Sequence, residues 1–234
     1  MPDLPTGGAA QRHRPRRNWA VIQHVDYDGE GAIGHALRRA ECPWVSVRPF
    51  RGDPVPRAAD LSGLIVLGAP DGSADDRGCQ HLVAERRLIA DAVGLGLPVL
   101  GVCFGAQLLA VALGGRVISD GLPEVGMGAA SLTAAGRADR VLGSAAPDLT
   151  VLHWHRHSYT LPRGAVRLAT SSSGIEQAFR VNDNVYGLQF HVEINAELAR
   201  AIADQMPEGA LASDAVARAS AWGNAVLDRF LAEP

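Results

Sequence analysis

Cysteine is scarce in this chain of 234 residues: Cys42, Cys79 and Cys103 are its only three. None stands in a C-x-x-C pair, and an odd count argues against a disulfide framework. A reducing, cytoplasmic setting is the natural reading. Aromatic residues are also few, at 5%, while Ala and Gly are abundant, which suits close packing of helices on a sheet. Neither sign of charge dominates. A net charge of -3, well mixed along the chain, gives no general attraction to nucleic acid or to an anionic membrane. No apolar run is long enough to span a bilayer, and the N-terminus lacks the apolar core of a signal peptide. Nucleic acid and membrane are therefore not expected as partners.

What is present suits a medium-sized globular domain. Apolar residues make up 47% of the chain, enough for a sizeable core. Met1 to Asn18 is rich in Pro, Gly and Arg and reads as a flexible arm. Residues 19–234 read as one domain. Strand candidates at Trp19–His24, Val45–Val47, Leu64–Leu67 and Pro98–Val102 alternate with helical stretches at Gly31–Ala40, Leu82–Val93 and Gln107–Leu113. The helical stripe of the second stretch is Leu82, Leu88, Ile89 and Val93. Gly114 and Gly115 close the third helix. Such alternation predicts an α/β fold: a mostly parallel central sheet, flavodoxin-like, with helices on both faces. The second half holds short strand candidates at 116–118, 128–132, 149–152, 167–170, 177–181 and 185–190. They predict a small antiparallel addition leading back into the main sheet. Ala196–Met206 and Ala212–Leu231 read as two terminal helices.

The most telling stretch is Pro98-Val99-Leu100-Gly101-Val102-Cys103-Phe104-Gly105-Ala106-Gln107. A buried-type strand ends at a thiol, a small residue follows, and a helix begins. The same logic underlies nucleophile elbows, in which a strained turn lifts a side chain above the sheet. The amides and dipole of the following helix favour a thiolate there. Cys42 and Cys79 have no such setting and read as structural. A nucleophilic Cys needs a base, and the base needs an orienting group. Gly187-Leu188-Gln189-Phe190-His191-Val192-Glu193 supplies both, again at a strand end. In an extended chain residues two apart point the same way, so Glu193 can accept from His191. In parallel sheets the chemistry lies beyond the carboxyl ends of the strands. The turn Gly68-Ala69-Pro70 reaches the same edge. His153, His155 and His157 alternate at strand spacing, but no Cys or acidic residue stands at ligand spacing beside them. They read as a pocket wall, with no metal expected.

These motifs resemble the class I, triad-type glutamine amidotransferases. The resemblance rests on the Cys103 elbow and the His191-Val192-Glu193 run, supported by Gly68-Ala69-Pro70 and by the stretch Trp154-His155-Arg156-His157-Ser158-Tyr159-Thr160-Leu161-Pro162. It covers most of residues 20 to 195 and is similar to the amidotransferase domain of GMP synthase. It implies Cys103 as nucleophile, His191 as base and Glu193 as the group that orients it. The backbone amides of Ala69 and Phe104 would form an oxyanion hole. Gly68, Gln107, His157, Ser158 and Tyr159 would surround the substrate. The implied reaction is hydrolysis of the glutamine side-chain amide through a glutamyl thioester, without a cofactor. The ammonia would pass to a separate synthetase, since that domain is absent from the chain. A stand-alone hydrolase of γ-glutamyl amides, or a non-catalytic binding protein on the same scaffold, are the rival expectations. Three positions depart from the family pattern: Ala69 for a second Gly, Val192 for Pro, and His157 for an acidic residue. The polar loop 71–77 is also unusual.

Overall fold

The computed structural model describes residues 17–26, 30–69, 79–121, 123–143, 146 and 148–232. The expected arm lies outside the described residues up to residue 16, as does the polar loop 71–77. Asn18, read as the end of that arm, instead begins the first strand.

Five strands form the parallel half of one nine-stranded sheet: β1 (Asn18–Ile22), β2 (Trp44–Val47), β3 (Leu61–Val66), β4 (Val99–Val102) and β11 (Val185–Leu188), in the order β2-β1-β3-β4-β11. This is the flavodoxin-like order. The alternation of side chains splits the core between the two faces. Val21, Ile65, Leu100 and Val102 pack on one side with α1 (Gly31–Arg39) and the end of α6 (Ser213–Leu231). Ile22, Leu64, Val66 and Val99 pack on the other with α2 (Gln80–Gly94) and α3 (Phe104–Ala112). Because both faces are covered, the inner strands β1, β3, β4 and β11 read as largely apolar runs, whereas edge strand β2 leaves Val45 and Ser46 exposed. The α3 helix ends as expected: Gly114 has φ 92° and the Gly115 N–H returns to Ala110 O at 2.8 Å.

The second half returns to the main sheet as antiparallel strands and adds a small separate antiparallel ribbon. Strands β10 (Glu176–Val181), β9 (Val166–Thr170), β6 (Glu124–Leu132) and β7 (Asp148–His155) continue the same sheet outward from β11 in that order. Only the ribbon of β5 (Val117–Ile118) and β8 (Ser158–Tyr159) stands apart. A short helix, α4 (Ala134–Ala138), follows β6, with Thr133 accepting the Gly136 N–H at its start. The expected helix over 196–206 breaks at Ile202 into α5 (Ala196–Ala201) and a 3-10 turn over Ala203–Gln205. No helix among the described residues is long and apolar enough to cross a membrane.

Candidate active site

Strands β1, β3, β4 and β11 lie side by side and parallel. The residues that follow their carboxyl ends therefore meet at one rim: His24, Gly68, Cys103 and the Gln189–Glu193 run. Cys103 sits at the turn between β4 and α3 with φ 52° and ψ -110°, a conformation that strains a residue with a Cβ by about 1–3 kcal/mol. The surroundings hold it there. Its N–H donates to Leu188 O at 2.7 Å, and its carbonyl accepts from Ala106 and Gln107 N–H. Gly105 makes the tight turn possible. A Cβ there would lie 2.0 Å from Val66 O, so the helix reaches this close to β3 only with glycine. Cys103 as a residue is 3% exposed. It donates to the Trp154 carbonyl at 3.5 Å and accepts from Gln189 Nε2 at 3.9 Å.

His191 is anchored by its N–H, which donates to Leu152 O at 2.9 Å and so ties this run to β7. The chain does not stay extended beyond it. Val192 and Glu193 form a turn, and within that turn His191 Nδ1 meets Glu193 Oε1 at 2.7 Å. The carboxylate accepts, so Nδ1 carries the hydrogen and Nε2 is left to act toward the sulfur. Val192 is buried in the core; packing replaces the rigidity a proline would supply. Burial works against a charged imidazole. The Glu193 carboxylate and the Cys103 sulfur outweigh it and hold the His191 pKa well above its ordinary value. The sulfur thus acts on the ring electrostatically, yet Nε2 has no well-formed hydrogen bond among the described residues. Catalytic contacts of this kind tighten when substrate arrives.

Gln107, on the first turn of α3, donates to His157 O at 3.0 Å and to Gln189 Oε1 at 3.4 Å. It links the elbow to the histidine-rich stretch. His157 and Ser158 line a cavity of about 390 Å³ that also meets His155, Arg156 and Glu176. Tyr159 reaches the same wall, but its ring is fully buried and packs edge-on against Phe179 at 5.2 Å. Burial pushes its phenol pKa well above 10, so it stays neutral. A larger cavity, about 670 Å³, opens around Arg17, Trp19 and Leu231 at the opposite end of the strands, and it contains none of these groups.

The end of β3 brings a pair that sequence reading missed. His24, just beyond β1, meets Gly68 O through Nδ1 at 3.2 Å and Glu85 Oε2 through Nε2 at 2.8 Å. A carbonyl can only accept, so Nδ1 is the donor to Gly68. Both side chains are buried, at 5% and 1% exposure, and the imidazole stands edge-on to Phe104 at 4.9 Å. Gly68 C=O and Ala69 N–H belong to one planar peptide. Fixing the carbonyl therefore fixes the amide expected to serve the oxyanion hole. The signal lay in α2: Glu85 falls on the inward stripe of Leu82 and Leu88, where a carboxylate needs a partner. Phe104, the other expected amide, opens α3 directly after Cys103.

Of the three alternating histidines, His155 and His157 border the same cavity, but the rings of His153 and His155 are held elsewhere. They turn toward Glu124 on β6. Burial lowers the His153 pKa, against the pull of the Glu124 charge. Burial alone would raise the Glu124 carboxyl, but His155, Ser171 and His153 bring it below its usual range.

Comparison with known proteins places the chain in a family. YfeJ of Salmonella typhimurium, a glutamine amidotransferase-like protein, is 32% identical over 183 residues, 75% of either chain. One subunit of the glutamine-hydrolyzing GMP synthase of Haloarcula marismortui is 36% identical over 173 residues, 71% of this chain and 83% of that one. The crystal structure of a glutamine amido transferase from Methylobacillus flagellatus superimposes with a TM-score of 0.85 at 28% identity, covering 92% of this chain and 94% of that one. The model of the class-I glutamine amidotransferase family matches residues 25–202, well over half of the sequence. The chain belongs to the class-I glutamine amidotransferases.

Proposed function

We propose that this protein hydrolyses the side-chain amide of glutamine through a thioester on Cys103 and hands the ammonia to a separate synthetase. The observation that carries the reading is the buried His191–Glu193 pair, with the Cys103 sulfur acting electrostatically on the imidazole from a strained turn at the same strand edge. In the resting site the thiol proton points at the Trp154 carbonyl. On substrate binding it passes to His191 Nε2, and Glu193 stabilises the imidazolium that results. The sulfur forms a bond to the amide carbon, whose oxygen takes the electron pair as an oxyanion. The amides of Ala69 and Phe104 receive it, each donor being worth about 3 kcal/mol in comparable sites. The C–N bond then breaks, His191 returns its proton to the nitrogen, and ammonia leaves. Water, activated by His191, attacks the thioester and frees glutamate and the thiol. Gln107 and the wall at Gly68, His157, Ser158 and Tyr159 orient the substrate.

Support for a separate acceptor comes from the Haloarcula relative, which is itself named as one subunit of a synthase and of which the chain covers 83%. The direct test is glutamate release from glutamine by the purified chain, with Cys103→Ala as control. Release that vanishes in the variant supports the reading, and equal release from both overturns it. A second reading rests on the cavity beside His157. At about 390 Å³ it falls in the range that encloses drug-sized ligands, and it suits a group attached to the glutamyl nitrogen. Faster turnover of substituted γ-glutamyl amides than of glutamine, without any partner, favours that reading.

A further inference from the structure

We propose that Glu124, His153 and His155 form a binding site for one divalent transition-metal ion of the zinc type. The three residues are far apart in sequence, which is why the histidines lacked an acidic neighbour when read alone. The register of β6 against β7 brings them together: Glu124 stands opposite His155, and Gly126 opposite His153. All four therefore project to one face. Glycine on β6 leaves room for the second imidazole. A Cβ on Gly128 would lie 2.7 Å from the His153 ring.

The donor atoms converge. Glu124 Oε2 lies 3.3 Å from His155 Nε2 and 3.8 Å from His153 Nδ1, and all three lie within 4.8 Å of one another. Ligands held about 2.0–2.2 Å from a tetrahedral zinc ion stand roughly 3.3–3.6 Å apart. Only a small closing movement is needed. His153 Nδ1 and His155 Nε2 belong to side chains 7% and 2% exposed, yet neither atom has a hydrogen-bond partner among the described residues. Buried imidazole nitrogens without partners are rare. Glu124 Oε2 already accepts from Gln177 Nε2 at 2.6 Å, which leaves that oxygen one lone pair between the two imidazoles. A ligating carboxylate held by a neighbouring donor is what metal sites show. Two imidazoles and one carboxylate leave the fourth position open, and His155 borders the 390 Å³ cavity, from which water could fill it. The ion would tie β7 to β6 beside Trp154, whose carbonyl faces the Cys103 thiol.

The test uses metal-free full-length protein carrying Cys103→Ala and Cys79→Ala, which removes the thiols beside His191 and His81. Titration with Co²⁺ alone is followed by visible absorption, and titration with Zn²⁺ alone by calorimetry and thermal unfolding. The expected result is one ion per chain and an absorption spectrum of four-coordinate cobalt without thiolate bands. Zinc should raise the unfolding temperature. Affinity should fall at least 100-fold in Glu124→Gln, which keeps size and the Gln177 contact, and in His155→Ala. Absence of binding, or binding that both variants leave unchanged, overturns the proposal. Should the variants fail to fold, X-ray absorption on the cobalt-loaded parent decides: two imidazole ligands support the site, and fewer than two overturn it.

Discussion

Replacing His24 by Phe isolates the contribution of the peptide that carries the Ala69 amide. A slightly larger aromatic ring replaces the imidazole and can keep the edge-on contact with Phe104, but both hydrogen bonds vanish. Gly68 O loses the donor 3.2 Å away, and the Glu85 carboxylate loses its partner 2.8 Å away. Glu85 is 1% exposed and its Oε1 already lacks a partner among the described residues. Removing one member of a buried pair costs about 3–5 kcal/mol, which for a chain of this size lowers the unfolding temperature by about 6–20 °C. The double variant His24→Phe/Glu85→Leu removes the stranded charge as well and should recover most of that loss. Catalysis should not recover. An oxyanion donor is worth about 10²–10³ in kcat, and a peptide free to rotate loses part of it. We expect a drop of roughly 10- to 100-fold in kcat, with KM changed less, in both variants. Glutamate release measured beside thermal unfolding separates the two effects. A double variant with wild-type kcat would refute the assignment of His24 and Glu85 as positioning residues.

Other outcomes follow from single contacts. Gly105→Ala pushes a Cβ against Val66 O, 2.0 Å away. It should destabilise the fold by about 3 kcal/mol, and an unchanged melting temperature would contradict the close-approach argument. Glu193→Gln removes a charge that holds the His191 pKa well above its usual value. Its kcat should fall, and the acidic limb of its rate profile, set by the base that takes the thiol proton, should move to lower pH; a limb that stays in place would show that another group sets it. The same shift affects stability. A raised folded-state pKa stabilises fully below the unfolded value of about 6.5 and is lost as pH rises through the folded value. The wild type should therefore lose stability across that window more steeply than Glu193→Gln in urea unfolding at a series of pH values.

The parallel half was legible because its inner strands are covered on both faces and appear as largely apolar runs, each ending near its expected residue. The elbow and the His-x-Glu run were legible as residue types standing where such strands stop. The antiparallel half was less so. Strand β7 was expected to stop at Leu152 but runs to His155, because its histidines turn inward toward Glu124 rather than out to water. Strand β8 and helix α4 span two and five residues, too few for any periodicity to register. Partners such as Glu85 for His24, 61 residues away, and Glu124 for His155 depend on tertiary pairing. Only Glu85 left a trace, as a charge on an apolar helical stripe.

Intact-protein mass spectrometry after exposure to a glutamine analogue bearing an electrophilic carbon tests the nucleophile most directly. The account predicts a single adduct mapped to Cys103, slowed by free glutamine and absent from Cys103→Ala. Labelling of Cys42 or Cys79 in its place, or no adduct on folded protein, would contradict it.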